Sequence, residues 1–438
     1  MTKNKKHPLI EIIKNKKNGI PKGIFSICSS NEYVIEASMM FLKEKKSGIL
    51  IESTCNQVNQ FGGYTGMRPR DFVNFIISIA ERVKFPREKI ILGGDHLGPN
   101  PWKTEKSIDA MEKACFMVKE YALAGYSKIH LDASMSLADD LKKKSEILNP
   151  ELIALRAAKL CQEVEKNYSN NLLGSSLLPV YIVGTEVPSP GGTKDDMMVR
   201  ELTVPDNLRK TIELNKNAFY ALNLKSAWER VIAVVVNLGI EFNNYNVIKY
   251  DAKKAQKIIE VMKEYPALTI EAHSTDYQSR EAISDMVNDG VGILKVGPAL
   301  TFAFREAVFS LCHIEKELYS NKMHLQSNLI ENMEKEMNKN PKYWMDYYIG
   351  NEKEKEFERK YSFLDRSRYY WNVPTIRESI TKLLENMNKE KIPLALISQF
   401  MPIQYCKIRE GVLKNNPKAL IFDHIYRIIE NYYFETWN

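Results

Sequence analysis

The stretch Leu92-Gly-Gly-Asp-His-Leu-Gly-Pro-Asn-Pro-Trp102 decides the fold and points to a functional site. It continues an apolar run that begins at residue 89 and is typical of a buried strand. Two glycines then allow a sharp turn and close approach to a ligand, just before Asp95 and His96. A carboxylate beside an imidazole at a strand end can place a base next to a metal ligand. The alternative is a helix N-cap aspartate beside a surface histidine.

Three further apolar runs end in polar side chains. One ends in His130 and Asp132, one in Glu186, and one in His273, two residues after a glutamate. The chain has 7 histidines, and three of them close short apolar runs. Because parallel strands end at one rim of a sheet or barrel, the pattern predicts a shared site at that rim.

Strand-like runs alternate with helical patterns along the first three quarters of the chain, which favours parallel strands joined by right-handed crossovers. Eight such runs predict an α/β fold of the (β/α)₈ TIM-barrel type. An open, doubly wound sheet is the alternative, but no G-x-G-x-x-G sequence opens the first helix. The eight runs are residues 23–28, 48–53, 89–94, 127–132, 178–186, 230–237, 267–273 and 292–297.

The length of 438 residues exceeds one barrel of about 250 residues, so a second region is expected. The pattern changes near residue 320, after which strand periodicity gives way to charged, aromatic and amphipathic helical segments. We therefore predict a class II aldolase-like barrel at residues 1–320. Residues 321–438 are predicted to form a helical extension that packs on the barrel or contributes to a subunit interface.

Composition and charge exclude several classes of protein. The hydrophobic fraction is 44% and the charged fraction 27%, as in ordinary globular proteins. The net charge of +7 is spread over helical stretches, which argues against nucleic-acid binding. The longest apolar run is too short to span a membrane, and the basic N-terminus lacks the apolar core of a secretion signal. The 6 cysteines lack disulfide or zinc spacing, so we expect reduced thiols and a cytoplasmic location.

The loop after the second predicted strand is rich in amides and glycines. Asn56 and Gln57 open it, and their side chains suit hydrogen bonding to a polyhydroxylated ligand. The alternative is a merely mobile connection.

Several segments together resemble the non-catalytic, Z-type subunits of class II D-tagatose-1,6-bisphosphate aldolase. The resemblance covers nearly the whole chain and implies a TIM barrel with a role in galactitol, tagatose or amino-sugar catabolism. Some members of the superfamily invert C4 of ketohexoses or their 6-phosphates. The segments are Asn56-Gln-Val-Asn-Gln-Phe-Gly-Gly-Tyr-Thr-Gly66, Gly93-Gly-Asp-His-Leu-Gly-Pro-Asn100, Lys128-Ile-His-Leu-Asp-Ala-Ser-Met135, Gly184-Thr-Glu-Val-Pro188, Glu271-Ala-His-Ser-Thr-Asp-Tyr-Gln278 and Leu294-Lys-Val-Gly-Pro-Ala-Leu-Thr-Phe302.

The barrel is also similar to the class II aldolases themselves. In those enzymes an Asp-His pair supplies a proton donor and a zinc ligand, which corresponds here to Asp95 and His96. The resemblance implies further metal ligands at His273 and Glu241, giving two histidines and one carboxylate for a divalent metal. Zinc is expected, with manganese as the alternative. Residues 274–278, which include Ser274 and Asp276 as substrate-binding candidates, replace the glycine-rich phosphate loop. This replacement argues against an aldolase-type bisphosphate site.

The first functional hypothesis is a metal-dependent 4-epimerase acting on a ketohexose or ketohexose 6-phosphate of the tagatose/fructose type. A base would take the C4 hydroxyl proton, the C3–C4 bond would open to an enediolate and an aldehyde, and re-addition would follow from the other face. Asp95 and Glu186 are the candidates for proton transfer. His130 and Asp132 are candidates for positioning the substrate.

The second hypothesis is a non-catalytic subunit that stabilises a separate class II tagatose-bisphosphate aldolase chain. A stabilising subunit has no physical need for several charged groups at one rim, since buried charges without partners are costly. A sugar kinase is a weaker reading, because the sequence has no P-loop. A homo-oligomer is expected under either hypothesis.

Overall fold

The computed structural model describes residues 7–140, 148–168, 177–185, 187, 202–389 and 391–434. Eight parallel strands form a closed barrel in which each strand pairs with its neighbours in chain order. Every strand lies within one of the runs predicted from the sequence, or extends it by a few residues, so the predicted TIM barrel is confirmed. The barrel strands are β1 (Ile24–Ile27), β2 (Ile49–Thr54), β3 (Ile90–Leu97), β4 (Lys128–Leu131), β5 (Val180–Val183), β6 (Val231–Val235), β9 (Thr269–Ala272) and β10 (Val291–Val296).

Between the sixth and seventh barrel strands the chain forms a short antiparallel hairpin. Its strands are β7 (Glu241–Phe242) and β8 (Val247–Ile248), which pair only with each other. The hairpin therefore belongs to the loops above the barrel and not to its wall.

Helices cover the outside of the barrel. Several begin with proline at the first helical position, where its missing N–H costs nothing. The helices of this layer are α2 (Glu32–Glu44), α3 (Pro69–Val83), α4 (Ser107–Leu123), α5 (Pro150–Asn167), α6 (Pro205–Ala221), α7 (Lys225–Trp228), α8 (Ala252–Glu264), α9 (Arg280–Asn288) and α10 (Pro298–Leu318), with 3-10 turns at Arg87–Lys89 and Asn100–Trp102.

A helix before the first strand closes the N-terminal end of the barrel, which the sequence did not reveal. This helix, α1 (Pro8–Lys17), places Leu9, Ile12 and Ile13 in one buried cluster with inward-facing strand residues. His7 precedes it, and its Nε2 lies 3.2 Å from the hydroxyl of Ser127 at the start of β4. Apolar side chains therefore fill this end of the barrel, and the polar strand-end residues lie at the opposite end.

The C-terminal region is helical, and residues 321–389 and 391–434 contain no strand, as predicted. Its last helix packs against α10 and α2, and both regions contribute to one hydrophobic core. The boundary near residue 320 remains a prediction. The helices are α11 (Leu329–Lys339), α12 (Glu352–Tyr361), α13 (Pro374–Lys389), α14 (Leu394–Phe400), α15 (Pro402–Arg409) and α16 (Pro417–Tyr432), with 3-10 turns at Met323–Leu325, Pro341–Tyr343 and Arg366–Tyr369.

Among the described residues, no helix has the length and apolar character needed to cross a membrane.

Candidate metal centre

An irregularity in β3 directs two consecutive side chains into the same space. The pairing of β3 with β4 shifts between Gly94 and Leu97, which places one extra residue on β3. His96 has a φ of 49°, in the left-handed region that non-glycine residues rarely adopt. Side chains of a regular strand would alternate between the two faces, but a bulge re-aims them. As a result, His96 Nε2 lies 3.9 Å from Asp95 Oδ2.

Glycines on either side of the bulge allow close approaches that no side chain would permit. A Cβ on Gly93 would lie 2.7 Å from Cγ of Glu52 inside the barrel. A Cβ on Gly98 would lie 1.6 Å from the carbonyl oxygen of Asp132. The first glycine makes room for a charged side chain below the site. The second brings the chain after β3 against the end of β4.

Four side chains converge at the C-terminal end of the barrel: Asp95, His96, His130 and His273. One ligand atom from each lies within 4.8 Å of those from the others, and all four residues are buried. They come from β3, from β4 and from the residue after β9. Since all of these strands are parallel, their C-terminal ends meet at one rim, as the sequence predicted.

Two of the histidines are oriented by a carboxylate. Nδ1 of His96 lies 2.8 Å from Oδ2 of Asp132, and Nε2 of His273 lies 3.1 Å from Oε1 of Glu271. A histidine that donates one ring N–H to a carboxylate keeps the lone pair on its other nitrogen, which is the usual arrangement of histidine ligands in metal sites. The nitrogens left for a ligand are therefore Nε2 of His96 and Nδ1 of His273.

His130 completes the set. Its Nδ1 lies 3.0 Å from Oδ1 of Asp95 and accepts a hydrogen bond of 3.2 Å from the backbone N–H of His96, and its Nε2 is buried without a hydrogen-bond partner in the described part of the chain. A buried polar atom without a partner is costly, so it needs an explanation such as a bound ion or water. Three imidazoles and a carboxylate suit zinc and similar divalent metals. The residues present therefore fit a divalent cation.

The pKa values of His96 and His273 shift in opposite directions. Burial alone would lower the pKa of His96, but Asp95 and Asp132 outweigh it and raise the pKa above its ordinary value. Burial dominates at His273 and lowers its pKa to about 4. His273 is therefore neutral at physiological pH, which is the form that binds a metal.

A layer of charged side chains lies beneath the cluster, inside the barrel. Nζ of Lys128 lies 2.8 Å from both carboxylate oxygens of Glu52 and 2.5 Å from Oε2 of Glu271. Nζ of Lys295 lies 2.5 Å from Oε2 of Glu52 and 3.0 Å from Oδ1 of Asp95. Buried charges are tolerated when each is paired in this way. Through Lys295, the layer contacts Asp95, a member of the four-residue cluster.

The lysines determine the charge of the carboxylates above and beside them. Burial opposes the ionisation of Glu271, but Lys128 and Lys295 outweigh it and hold its pKa well below the usual range. Burial also opposes the ionisation of Asp95, whose pKa is held low by Lys295 and His96. Both carboxylates are therefore anionic at neutral pH. Asp95 can accept a proton or contribute an oxygen ligand.

A pocket above the cluster opens to solvent and has a volume of about 80 Å³ for the centres of water-sized molecules. The amide-rich loop supplies Asn56 and Gln57 to its wall, and the loop after β9 supplies Ser274 and Asp276. All four were predicted as substrate-binding residues, and the structure brings them to one pocket beside Asp95, His96 and His273.

Two predicted site residues are not in this group. Glu241 lies in β7, where its Oε1 accepts a hydrogen bond of 3.1 Å from the backbone N–H of Phe242. β6 ends at Val235, and Phe242, the residue after Glu241, lines the pocket above the cluster. The four-residue cluster includes His130 and does not include Glu241. The other residue, Glu186, lies outside the described residues.

The charged layer and two pocket residues from the C-terminal region were not predicted from the sequence. A signal for the layer existed, since Glu52, Lys128 and Lys295 each interrupt an apolar strand. Arg368 and Tyr369 also line the pocket, although more than seventy residues separate them from β10. Nothing local in the sequence reveals that contact, because it depends on how the C-terminal helices pack over the barrel mouth.

Comparisons with known proteins cover nearly the whole chain. The family model for D-tagatose-1,6-bisphosphate aldolase subunit GatZ/KbaZ-like proteins matches residues 9–436. The GatZ subunits of Salmonella gallinarum and Salmonella enteritidis are each 46% identical over 424 residues, which are 97% of this chain and 98% of the relative. A crystal structure described as a probable tagatose 6 phosphate kinase from Sinorhizobium meliloti 1021 is 40% identical, with a TM-score of 0.84 and coverage of 94% of this chain and 99% of that one.

Proposed function

We propose that this chain acts in carbohydrate metabolism as a subunit of a D-tagatose-1,6-bisphosphate aldolase. The chain belongs to the GatZ/KbaZ-like family of subunits of that enzyme. The observation that carries this proposal is the similarity to GatZ subunits over 97% of this chain and 98% of the relative. From the sequence alone, the epimerase is the first hypothesis and the aldolase subunit the second. The names of the relatives favour the reverse order.

The test is reconstitution with a catalytic class II tagatose-bisphosphate aldolase chain from the same source. We expect the catalytic chain to lose activity more slowly, and to remain soluble longer, when this protein is co-expressed with it. The matched control is the same catalytic chain co-expressed with an unrelated TIM-barrel protein. Equal half-lives of aldolase activity with and without this protein would contradict the proposal.

A second candidate function is catalysis at the cluster itself. The specific observation that favours it is the set of three histidines that each contact a carboxylate, together with the buried Nε2 of His130. A subunit with a purely stabilising role does not need this arrangement, and burying unpaired polar atoms is costly. The candidate reaction is 4-epimerisation of a ketohexose or ketohexose 6-phosphate.

In this mechanism His96, His130 and His273 would hold the metal. A bound divalent cation would supply Lewis-acid polarisation of substrate oxygens. Asp95, which Lys295 keeps anionic, would take the proton of the C4 hydroxyl. The electron pair of the C3–C4 bond would pass to C3, which leaves an enediolate and an aldehyde at C4.

The remaining residues hold the two fragments. Asn56 and Gln57 can hydrogen-bond the hydroxyls of the aldehyde fragment while it turns over, and re-addition of C3 from the other face inverts C4. A second group must return a proton to the new C4 alkoxide, and we predict Glu186 for this role. The Sinorhizobium neighbour is described as a probable kinase, but the sequence of this chain has no P-loop with which to cradle nucleotide phosphates.

Assay of the purified protein separates the two functions. Conversion of D-tagatose 6-phosphate to D-fructose 6-phosphate, stimulated by zinc or manganese, would support catalysis by this chain alone. The free ketoses are the matched comparison. If none of these sugars is converted with either metal, the catalytic candidate fails and the subunit function stands by itself.

A further inference from the structure

The loop after β9 ends against the first turn of α10. In TIM barrels, the loops after the seventh and eighth strands and a nearby helix N-terminus often bind a phosphate group of the ligand. The donors at such a position are backbone N–H groups, and the helix dipole adds to their attraction for anions. In this chain β9 and β10 are the seventh and eighth barrel strands, and α10 begins immediately after β10.

Here those donors already have an acceptor. Oδ1 of Asp276 accepts hydrogen bonds from the backbone N–H of Gly297 at 3.0 Å and of Ala299 at 2.8 Å. The residue between them, Pro298, has no N–H to offer. The carboxylate of Asp276 thus takes both donors that this turn could present to a phosphate.

The carboxylate is held in place by the whole loop. Ser274 and Tyr277, on either side of Asp276, have φ values of 55° and 64°, and such strained backbone persists only where the surroundings enforce it. The hydroxyl of Thr275 donates to the carbonyl of Lys295 at 2.6 Å, and that of Tyr277 donates to the carbonyl of Phe363 at 2.6 Å. Asp276 is therefore a fixed part of the pocket wall.

We infer that Asp276 is a specificity residue, which fills the phosphate position of the barrel and so selects a ligand with a free hydroxyl at this end. At this turn a phosphate would find no free backbone N–H and would face the buried carboxylate of Asp276, whose negative charge already attracts Arg368, the guanidinium in the same pocket. Both hydrogen bonds end on Oδ1, and the second oxygen can accept a hydrogen bond from a sugar hydroxyl. This inference rests on the second candidate function, 4-epimerisation, and restricts its substrate. The pocket takes a ketose whose end at Asp276 carries no phosphate, and it rejects a bisphosphate.

The sequence of the loop after β9 also supports the exclusion of a phosphate at this end. By their resemblance to the class II aldolases, residues 274–278 correspond to the glycine-rich phosphate loop, and Asp276 lies within this segment. A glycine loop would leave the backbone N–H groups free, whereas Asp276 occupies them from within the chain.

The test is calorimetric titration with inorganic phosphate at pH 8 and constant ionic strength. Asp276→Gly frees both N–H groups, so it should bind phosphate about tenfold or more tightly than the parent, because each charge-assisted hydrogen bond contributes more than a neutral one. Asp276→Asn is the matched control, because its amide oxygen can still accept from the same two N–H groups, and it should show no such gain. The gain should persist when His96→Ala is added, which excludes phosphate bound to a metal.

Equal phosphate affinity of the parent and Asp276→Gly would overturn the inference. If Asp276→Gly does not fold, Asp276→Ser serves as the second variant. The parent also decides the matter, since it should bind D-tagatose 6-phosphate at least about tenfold more tightly than D-tagatose 1,6-bisphosphate, and equal affinities would overturn the inference. A gain of phosphate binding by Asp276→Gly without any sugar binding would uphold the role of Asp276 and contradict the sugar function alone.

Discussion

His130 shows at the scale of a single residue why this barrel mouth suits a metal. Its Nε2 is buried and lacks a hydrogen-bond partner in the described part of the chain, while its Nδ1 contacts Asp95. A zinc site with three protein ligands keeps an open position for water or substrate. We expect about one equivalent of zinc to bind the parent protein and His130→Ala to bind at least tenfold more weakly, since a lost ligand or its partner typically costs roughly 10–100-fold in affinity.

Equilibrium dialysis against zinc measures both affinities. His324→Ala is the matched control, since His324 is exposed and lies outside the cluster. Zinc binding that is equally tight in His130→Ala and His324→Ala would remove His130 from the ligand set.

Substitution of Asp95 tests whether this chain is catalytic. If the chain is an epimerase, Asp95→Asn should lower turnover of the ketose phosphate by ~10²-fold or more, the usual contribution of one acid–base group. Asp109→Asn, at an exposed position of α4, should leave turnover unchanged. The product made in D₂O should carry no deuterium at C4, because breaking the C3–C4 bond leaves the C4–H bond intact. Deuterium at C4 would instead indicate direct proton abstraction.

Site residues could be predicted where a polar side chain ends or follows an apolar run in the sequence. Asp95, His96 and His273 each follow or end an apolar run, so parallel strands had to bring them to one rim. Glu241 was placed in the ligand set by similarity to the aldolases, but it lies in the hairpin and outside the four-residue cluster, which includes His130. The pairing of Lys295 with Glu52, far apart in sequence, follows from closure of the barrel and has no local signal.

At the scale of elements, β3 is the strand on which the site depends. Gly98→Ala would place a Cβ 1.6 Å from the carbonyl oxygen of Asp132, so the chain after the bulge would have to move. We expect this substitution to lower the free energy of unfolding by more than ~3 kcal/mol, the size typical of strain that packing cannot relieve.

Urea denaturation followed by circular dichroism measures this loss. The matched control is Gly66→Ala, at a glycine with φ of 77° and no atom within 4 Å of the added Cβ, which should cost only about 1 kcal/mol through backbone strain. Equal losses in the two variants would show that the close approach at Gly98 is not needed.

The N-terminal cap made by α1 predicts a pH dependence. Burial lowers the pKa of His7 from its ordinary value of 6.5 to about 3. The unfolded chain therefore takes up a proton near pH 6.5 while the folded chain does not. Linkage then requires that this residue's contribution to stability is complete above pH 6.5 and is lost as the pH falls from there toward 3.

His7→Gln removes the titrating group from this element. The free energy of unfolding of the parent should therefore fall more steeply between pH 7 and pH 5 than that of His7→Gln, as measured in urea at each pH. Parallel curves would contradict a neutral, buried His7 at the closed end of the barrel.

At the scale of the whole molecule, the C-terminal helices complete the pocket. Arg368 and Tyr369 line it, and the hydroxyl of Tyr432 donates to the carbonyl of Thr275 in the loop that carries Asp276. The sequence predicted that this region is helical and packs on the barrel or at an interface. It could not predict that the region shapes the pocket, because Tyr432 and Thr275 lie 157 positions apart and Arg368 and Tyr369 lie more than seventy residues after β10.

We propose that the barrel mouth is a metal centre built from three histidines. X-ray absorption at the zinc edge of protein loaded with one equivalent of zinc tests it most directly, because imidazole ligands give a distinctive scattering pattern. We predict three histidine nitrogens at about 2.0–2.1 Å with the remaining position filled by oxygen. A protein that retains no zinc, or a spectrum with fewer than two histidines in the coordination sphere, would contradict the account.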